Sequence, residues 1–212
     1  MDKNGKLNLE QLKKSLRDDT ILVSVCTVDS ELGTIQPIGE IAKIVKENSN
    51  AYFHTDATQA IGKISVDYTD VDFLTFAPHK FSGINGVGVL INFNDVKITP
   101  LIHGGKSTTI YRSGTPVTAN AVSTAMALEL ATKDLNKKIK YLTSLKNYLI
   151  ENLVYIDGIS INSPEDSIPS TINFSIKDAR NIVNKLYEKG IYVSAGSACS
   201  SHKRKAAGTL SA

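Results

Sequence analysis

The feature that most constrains the fold is a strand–helix–strand alternation in which polar residues follow each strand directly. The apolar run at residues 20–26 is typical of a strand buried on both faces. After Pro37 the apolar residues recur at helical spacing, which predicts an amphipathic helix. Residues 51–55 then form a second predicted strand, which ends at Asp56. This order predicts an α/β fold with a mostly parallel sheet, extended by an antiparallel strand at residues 87–92.

The remaining elements are predicted from periodicity and turn residues. Leucines at residues 7–16 predict a short N-terminal helix, and residues 116–151 are helical by periodicity with an interruption near Asn136. The C-terminal part is predicted as a strand, a helix and a strand, at residues 171–176, 178–189 and 191–194, with Asp178 as helix cap and Gly190 just past the helix end. We expect a large domain at residues 1–130, and a connecting helix with part of a small α+β domain at residues 131–212.

Composition excludes several classes of protein. The chain has 212 residues, of which 42% are hydrophobic and 21% charged, which is enough to bury a substantial core. Its net charge of +3 is too small to indicate a nucleic-acid surface. Two cysteines without a CxxC pair argue against a structural zinc site and suit a reducing compartment. With neither a membrane-length apolar run nor a signal-like N-terminus, cytoplasm is the default prediction.

Three chemically useful residues lie where predicted strands end. Asp56 ends one strand, Gln59 follows it, and Lys80 stands after the run at residues 71–77 in a turn rich in glycine. With Ser30, in the loop after the first strand, they should gather on one rim of the sheet, where α/β proteins bind ligands. A lysine and a carboxylate suit pyridoxal phosphate, because the amine can bond its aldehyde and a carboxylate can hold its ring nitrogen protonated. A solvated lysine beside a strand-end cap is the ordinary alternative.

Two loops offer further candidates. Residues 101–115 are rich in glycine and threonine and could hold a phosphate, although an ordinary surface loop has the same composition. Cys199 lies among small residues beside the basic residues 203–205, which favours an accessible thiolate. Cys26 lies in an apolar strand, so we expect it to be a small buried hydrophobe.

Four motifs, in order along the chain, resemble those of the cysteine desulfurases, which are aminotransferase class V members among the fold-type-I pyridoxal phosphate enzymes. They are DATQ at residues 56–59, APHK at 77–80, RSGT at 112–115 and AGSAC at 195–199. The resemblance runs over nearly the whole chain. It implies the large domain of a pyridoxal-phosphate-dependent transferase, related to the aspartate aminotransferase fold, with part of the small domain.

The resemblance also implies roles for individual residues. Lys80 would form the Schiff base with pyridoxal phosphate and then move protons at the α-carbon of the substrate, L-cysteine. Cys199 would attack the substrate's sulfur, leaving a persulfide on the enzyme and releasing L-alanine, and the sulfur would pass to an acceptor such as an iron–sulfur scaffold protein or to thiolated tRNA. The resemblance assigns the remaining cofactor contacts as follows: Asp56 to the ring nitrogen, Gln59 to the phenolic oxygen, His79 beside the phosphate, and Thr115 to the phosphate held by the partner subunit of a homodimer.

The chain departs from the family pattern at two positions and in length. Ser30 stands where the family has asparagine, and Ala77 stands where it has serine. The phosphate loop and ring-stacking histidine expected upstream, and the carboxylate-binding arginine expected downstream, are not in this sequence, so it is expected to be truncated. Two alternatives stay open: a selenocysteine lyase or class V aminotransferase, if Cys199 is dispensable, and a catalytically silent dimerisation module.

Overall fold

The computed structural model describes residues 1–105 and 109–196, which group into two compact units. One unit comprises Leu16–Val25 and Ile38–Lys133, and the other comprises Met1–Ser15, Cys26–Pro37 and the chain from Asp134. The division into domains at residues 1–130 and 131–212 stays a prediction.

A four-stranded sheet dominates the unit containing residues 38–133. Its strands are β1 (Leu22–Cys26), β2 (Tyr52–Asp56), β3 (Phe73–Phe76) and β4 (Val89–Asn92), and they lie in the order β1-β2-β3-β4. Strands β2 and β3 are parallel, and β4 is antiparallel to β3. The predicted antiparallel addition is therefore confirmed.

Helices cover parts of this sheet. Helix α2 (Ile38–Asn48) packs against β2, and its buried side chains are Ile38, Ile41, Ala42 and Val45. They meet the side of the sheet that buries Phe53 and Leu74, since alternate residues of a strand face opposite sides. After β3 the chain forms a 3₁₀ helix (Pro78–Phe81), and α3 (Thr118–Thr132) packs against it. The amphipathic helix predicted after Pro37 is confirmed.

The other unit contains the N-terminal helix and the C-terminal elements. These are α1 (Leu9–Ser15), α4 (Leu135–Leu153), the short antiparallel strands β5 (Ser160–Ile161) and β6 (Phe174–Ser175), and α5 (Ala179–Glu188). The side chain of Gln36 binds the N-terminal segment through two hydrogen bonds. It accepts one from the Leu7 amide at 2.9 Å and donates one to the Gly5 carbonyl at 2.8 Å. The predicted helix interruption is confirmed at Lys133–Asp134, between α3 and α4.

Lys146 is a buried cation in this unit. Its side chain is only 4% exposed, and its ammonium donates to the Ser167 carbonyl at 2.9 Å, the Ser167 hydroxyl at 2.6 Å and the Ile168 carbonyl at 3.3 Å. Burial lowers the pKa of Lys146, and the negative charge of Asp166 partly opposes that shift. The ammonium therefore links α4 to the loop at residues 164–168 by hydrogen bonds to neutral carbonyl and hydroxyl oxygens.

Three local predictions were wrong. Strand β1 is not buried on both faces, because Leu22, Ser24 and Cys26 are exposed on a face that the described residues leave open. Residues 191–194 form no strand, since no described strand pairs with them. Asp178 precedes α5 as predicted, but it has a left-handed backbone with φ 56° and makes no side-chain capping bond; its carboxylate accepts from Asn181 instead.

Candidate active site

Lys80 lies on the single turn of 3₁₀ helix that follows β3. Ala77 is extended, as expected for a residue before proline, and Pro78 then starts the turn. The amide of Gly83 closes the turn on the Pro78 carbonyl at 2.9 Å, and a Cβ on Gly83 would lie only 2.6 Å from the Pro78 side chain. Pro78 and Phe81 are buried while His79 and Lys80 are exposed, so the turn presents both basic side chains outward.

Asp56 and Lys80 share one edge of the sheet. Asp56 is the last residue of β2 and pairs with Thr75 of the parallel strand β3, and the 3₁₀ turn that carries Lys80 begins three residues after Thr75, at Pro78. The carboxyl ends of neighbouring parallel strands meet at the same sheet edge. Asp56 is exposed, and its carboxylate accepts the Thr58 amide at 2.8 Å, which fixes the chain as it leaves the strand. The predicted gathering of these two residues is confirmed in position, while their roles stay predictions.

Gln59 lies on the turn after β2 together with a lysine that the sequence analysis did not select. The ammonium of Lys63 donates to the side-chain oxygen of Gln59 at 2.6 Å. Burial lowers the pKa of Lys63, and the positive charge of Lys80 lowers it further. The signal available in the sequence was the four-residue spacing, which brings side chains together on a helical turn.

A polar row crosses three strands behind Asp56. The His54 ring nitrogens contact the Ser24 hydroxyl on β1 at 2.7 Å and the Thr75 hydroxyl on β3 at 3.0 Å. Burial lowers the pKa of His54, although the charge of Asp56 acts in the opposite direction. His54 is therefore neutral near pH 7 and shares a strand face with Asp56 two residues on.

The predicted phosphate loop is described in part. Residues 106–108 lie outside the described residues. In the remainder, the Ser113 amide donates to the Ile102 carbonyl at 3.0 Å and its hydroxyl donates to the Gly105 carbonyl at 3.1 Å, which closes the loop at its base. Thr115 is exposed just before α3 begins at Thr118, so its hydroxyl is accessible.

Ser30 belongs to the other unit. It is exposed in a tight turn that Asp29 organises by accepting the amides of Glu31 at 2.9 Å and Leu32 at 2.7 Å. Its predicted place on the rim with Asp56 and Lys80 stays a prediction.

The two cysteines have different outcomes. Cys199, the predicted nucleophile, lies outside the described residues, so its role stays a prediction. Cys26 was predicted to be a small buried hydrophobe, and this is wrong because Cys26 is exposed. The open face of β1 is the physical reason, since Cys26 shares that face with Leu22 and Ser24.

The geometry agrees with what comparison to known proteins finds. The model of the family described as aminotransferase class-V matches residues 1–211. The cysteine desulfurase IscS of Dictyoglomus turgidum is 41% identical over 100% of this chain, and the cysteine desulfurase IscS of Methanosarcina thermophila is 39% identical over 100%. Those alignments cover 55% and 54% of the two relatives, so the chain spans about half their length.

A solved structure supports the same assignment. A NifS-like protein superimposes with a TM-score of 0.85 and 38% identity, over 92% of this chain and 55% of the other. The fold is thus the α/β fold of fold-type-I pyridoxal phosphate enzymes. Within that class, the chain belongs to the aminotransferase class-V family. No helix in the described part of the chain is long and apolar enough to cross a membrane.

Proposed function

We propose that this chain carries the lysine-bearing part of a pyridoxal-phosphate-dependent cysteine desulfurase. The observation that carries the proposal is the presence of Asp56 and Lys80 at the same edge of the sheet, with the lysine exposed on a hydrogen-bonded turn. The similarity to cysteine desulfurases over the whole chain supports the same function.

The donor set at this edge fits pyridoxal 5'-phosphate. When bound, the cofactor supplies an aldehyde for the amine of Lys80 and a ring that withdraws electrons when its nitrogen is protonated. The carboxylate of Asp56 would hold the proton at that nitrogen, and the Gln59 amide would donate to the phenolic oxygen. His79, Ser30 and Thr115 would bind the cofactor's polar groups, with Thr115 serving the phosphate in a partner subunit.

Substrate turnover requires a proton carrier and a soft nucleophile. Lys80 would take a proton from the α-carbon of L-cysteine, and the thiolate of Cys199 would attack the substrate's sulfur. The bond between that sulfur and the β-carbon would break with its electron pair left on the carbon, which takes up a proton, and L-alanine would be released. The outer sulfur of the Cys199 persulfide would then pass to an acceptor, such as an iron–sulfur scaffold protein, in the cytoplasm.

A homodimer is part of the proposal. On α3, Val122, Met126 and Leu130 recur every four residues and are each more than half exposed. Such a stripe on one helix face needs apolar cover, and two-fold pairing of identical chains is the commonest way to supply it. In the dimer Thr115, which lies just before α3, would approach the partner's cofactor.

The test is cofactor binding followed by turnover. Adding pyridoxal 5'-phosphate to the purified chain should produce the visible absorbance of a lysine-bound cofactor, and K80A should abolish it. K97A is a matched control, because Lys97 is an exposed lysine of the same unit. Equal absorbance in K80A and the wild type would contradict the assignment, and absence of binding by the wild type would favour a silent dimerisation module.

A further inference from the structure

The contact between Lys63 and Gln59 determines which way the Gln59 amide faces. The turn that carries both residues is held by its backbone: the Ala60 and Ile61 amides both donate to the Ala57 carbonyl at 2.9 Å. This turn brings the Lys63 ammonium within 2.6 Å of the Gln59 side-chain oxygen. An ammonium can only donate hydrogen bonds, so it selects the oxygen end of the amide.

Packing fixes the position of Lys63. Its neighbour Gly62 has φ +74°, and a Cβ on Gly62 would lie 2.8 Å from the Ala131 side chain and 3.2 Å from that of Phe81. The turn is therefore pressed against α3 and the 3₁₀ helix that carries Lys80. Lys63 is partly buried there, and the positive charge of Lys80 on the 3₁₀ helix adds to burial in lowering the pKa of Lys63.

The chemistry at Gln59 follows from these contacts. With its oxygen engaged by Lys63, the amide has its NH₂ group left to meet a ligand, and this group only donates. A ligand atom at this position must then be an acceptor, such as a phenolate oxygen. Without Lys63 the amide could rotate and present its oxygen, which would repel the same ligand atom.

We propose that Lys63 is a positioning residue that holds the Gln59 amide with its NH₂ group toward the cofactor's phenolic oxygen. The inference rests on the proposed function, because it assumes that pyridoxal 5'-phosphate binds at this edge. A purely structural role is the competing explanation. The turn's own backbone bonds and the complete burial of Ala57 and Ala60 already hold it without the Lys63 side chain.

A double-mutant cycle on the full chain tests the coupling. Affinity for pyridoxal 5'-phosphate is measured in the wild type, K63M, Q59A and the double variant, with K43M as a control for loss of an exposed lysine of the same unit. In the wild-type background, K63M should weaken cofactor binding about threefold to tenfold, which is the cost of one lost hydrogen bond. In the Q59A background, K63M should weaken binding less than about twofold. K63R, which keeps a cationic donor, should restore most of the affinity. Equal losses in both backgrounds would overturn the proposal.

A second readout needs no cofactor. In the unliganded protein, the side-chain carbonyl carbon resonance of Gln59 should shift in K63M and stay unchanged in K43M, because Lys63 donates to that oxygen at 2.6 Å whereas Lys43 lies beside Glu47. An unchanged resonance in K63M would overturn the proposed amide orientation. If the wild type fails to bind pyridoxal 5'-phosphate, the cofactor role falls with the proposed function, and this resonance alone decides the amide orientation.

Discussion

Replacing Gly62 with alanine should destabilise the unit that carries Lys80 more than the same replacement at a comparable open glycine. Gly62 has a left-handed backbone with φ +74°, which costs an alanine about 1–2 kcal/mol. The new Cβ would also lie 2.8 Å from the Ala131 Cβ and 3.2 Å from the Phe81 Cβ, both part of packed elements. Overpacking of this kind adds about 1–3 kcal/mol, so G62A should cost about 2–5 kcal/mol in total.

Gly86 is the matched control for this prediction. Its φ is +80°, close to that of Gly62, but no atom of the described residues lies within 4 Å of a Cβ built there. G86A should therefore lose only the backbone contribution, about 1–2 kcal/mol. The difference between the two variants isolates the contact between the turn, α3 and the 3₁₀ helix.

Urea unfolding followed by far-ultraviolet circular dichroism measures this difference. With a denaturant slope of about 2 kcal/mol per M, a gap of about 1–3 kcal/mol separates the two midpoints by about 0.5–1.5 M. A131G removes the nearer obstacle, so the cost of G62A should fall when it is measured in the A131G background. Equal midpoints for G62A and G86A would refute the close packing on which the position of Lys63 depends.

Further predictions concern the buried Lys146 ammonium, the Cys199 thiol and the exposed face of α3. The pKa of Lys146 is lowered in the folded protein. At alkaline pH between this lowered pKa and the ordinary lysine pKa, the unfolded chain therefore binds more protons than the folded protein. The free energy of unfolding should rise with pH in that window. K146M should lose this rise in pH-dependent urea unfolding; identical pH profiles would contradict the burial of the ammonium. With a thiol reductant present to release the persulfide sulfur as sulfide, C199S should stop sulfide release from L-cysteine while cofactor absorbance remains. Undiminished release would favour a selenocysteine lyase or aminotransferase. Sedimentation of the wild type should show a homodimer. M126E places a charge on the exposed face of α3 and should shift the protein to monomer. A stable wild-type monomer at micromolar concentration would contradict the dimer.

The sheet was predictable because its sequence signals agree with its packing. The helical spacing after Pro37 predicts three of the four side chains that α2 buries, Ile38, Ile41 and Val45. Asp56 ends β2, as expected from the polar residue after an apolar run. The edge shared by Asp56 and Lys80 followed from parallel topology alone. These signals are local, and the structure adds the register that connects them.

The wrong predictions concern residues whose burial or pairing is determined by other segments of the chain. The sequence around such a residue does not show which segment will pack against it. Residues 20–26 contain the apolar residues of a doubly covered strand, but whether β1 is covered depends on other segments, and Cys26 is exposed for that reason. Residues 191–194 have strand-like side chains without a partner strand among the described residues. The contacts of Lys146 join positions 21 and 22 residues apart, so periodicity could not reveal them.

Lys63 could have been found from the sequence, since it lies four residues after Gln59. Charge spacing of that kind is common on solvated helices, however, and only the packing of Gly62 distinguishes this pair. The strand-end positions of Asp56 and Lys80 were thus easier to predict than a neighbour such as Lys63, whose position depends on packing.

The most direct test of the account is the site at which the cofactor attaches. The chain is incubated with pyridoxal 5'-phosphate, reduced with borohydride and digested, and the modified lysine is located by mass spectrometry. We expect the pyridoxyl label on Lys80, because it is the exposed lysine on the turn that follows β3, at the same sheet edge as Asp56. A label on Lys63 or on another lysine, at the same yield in K80A, would contradict the account.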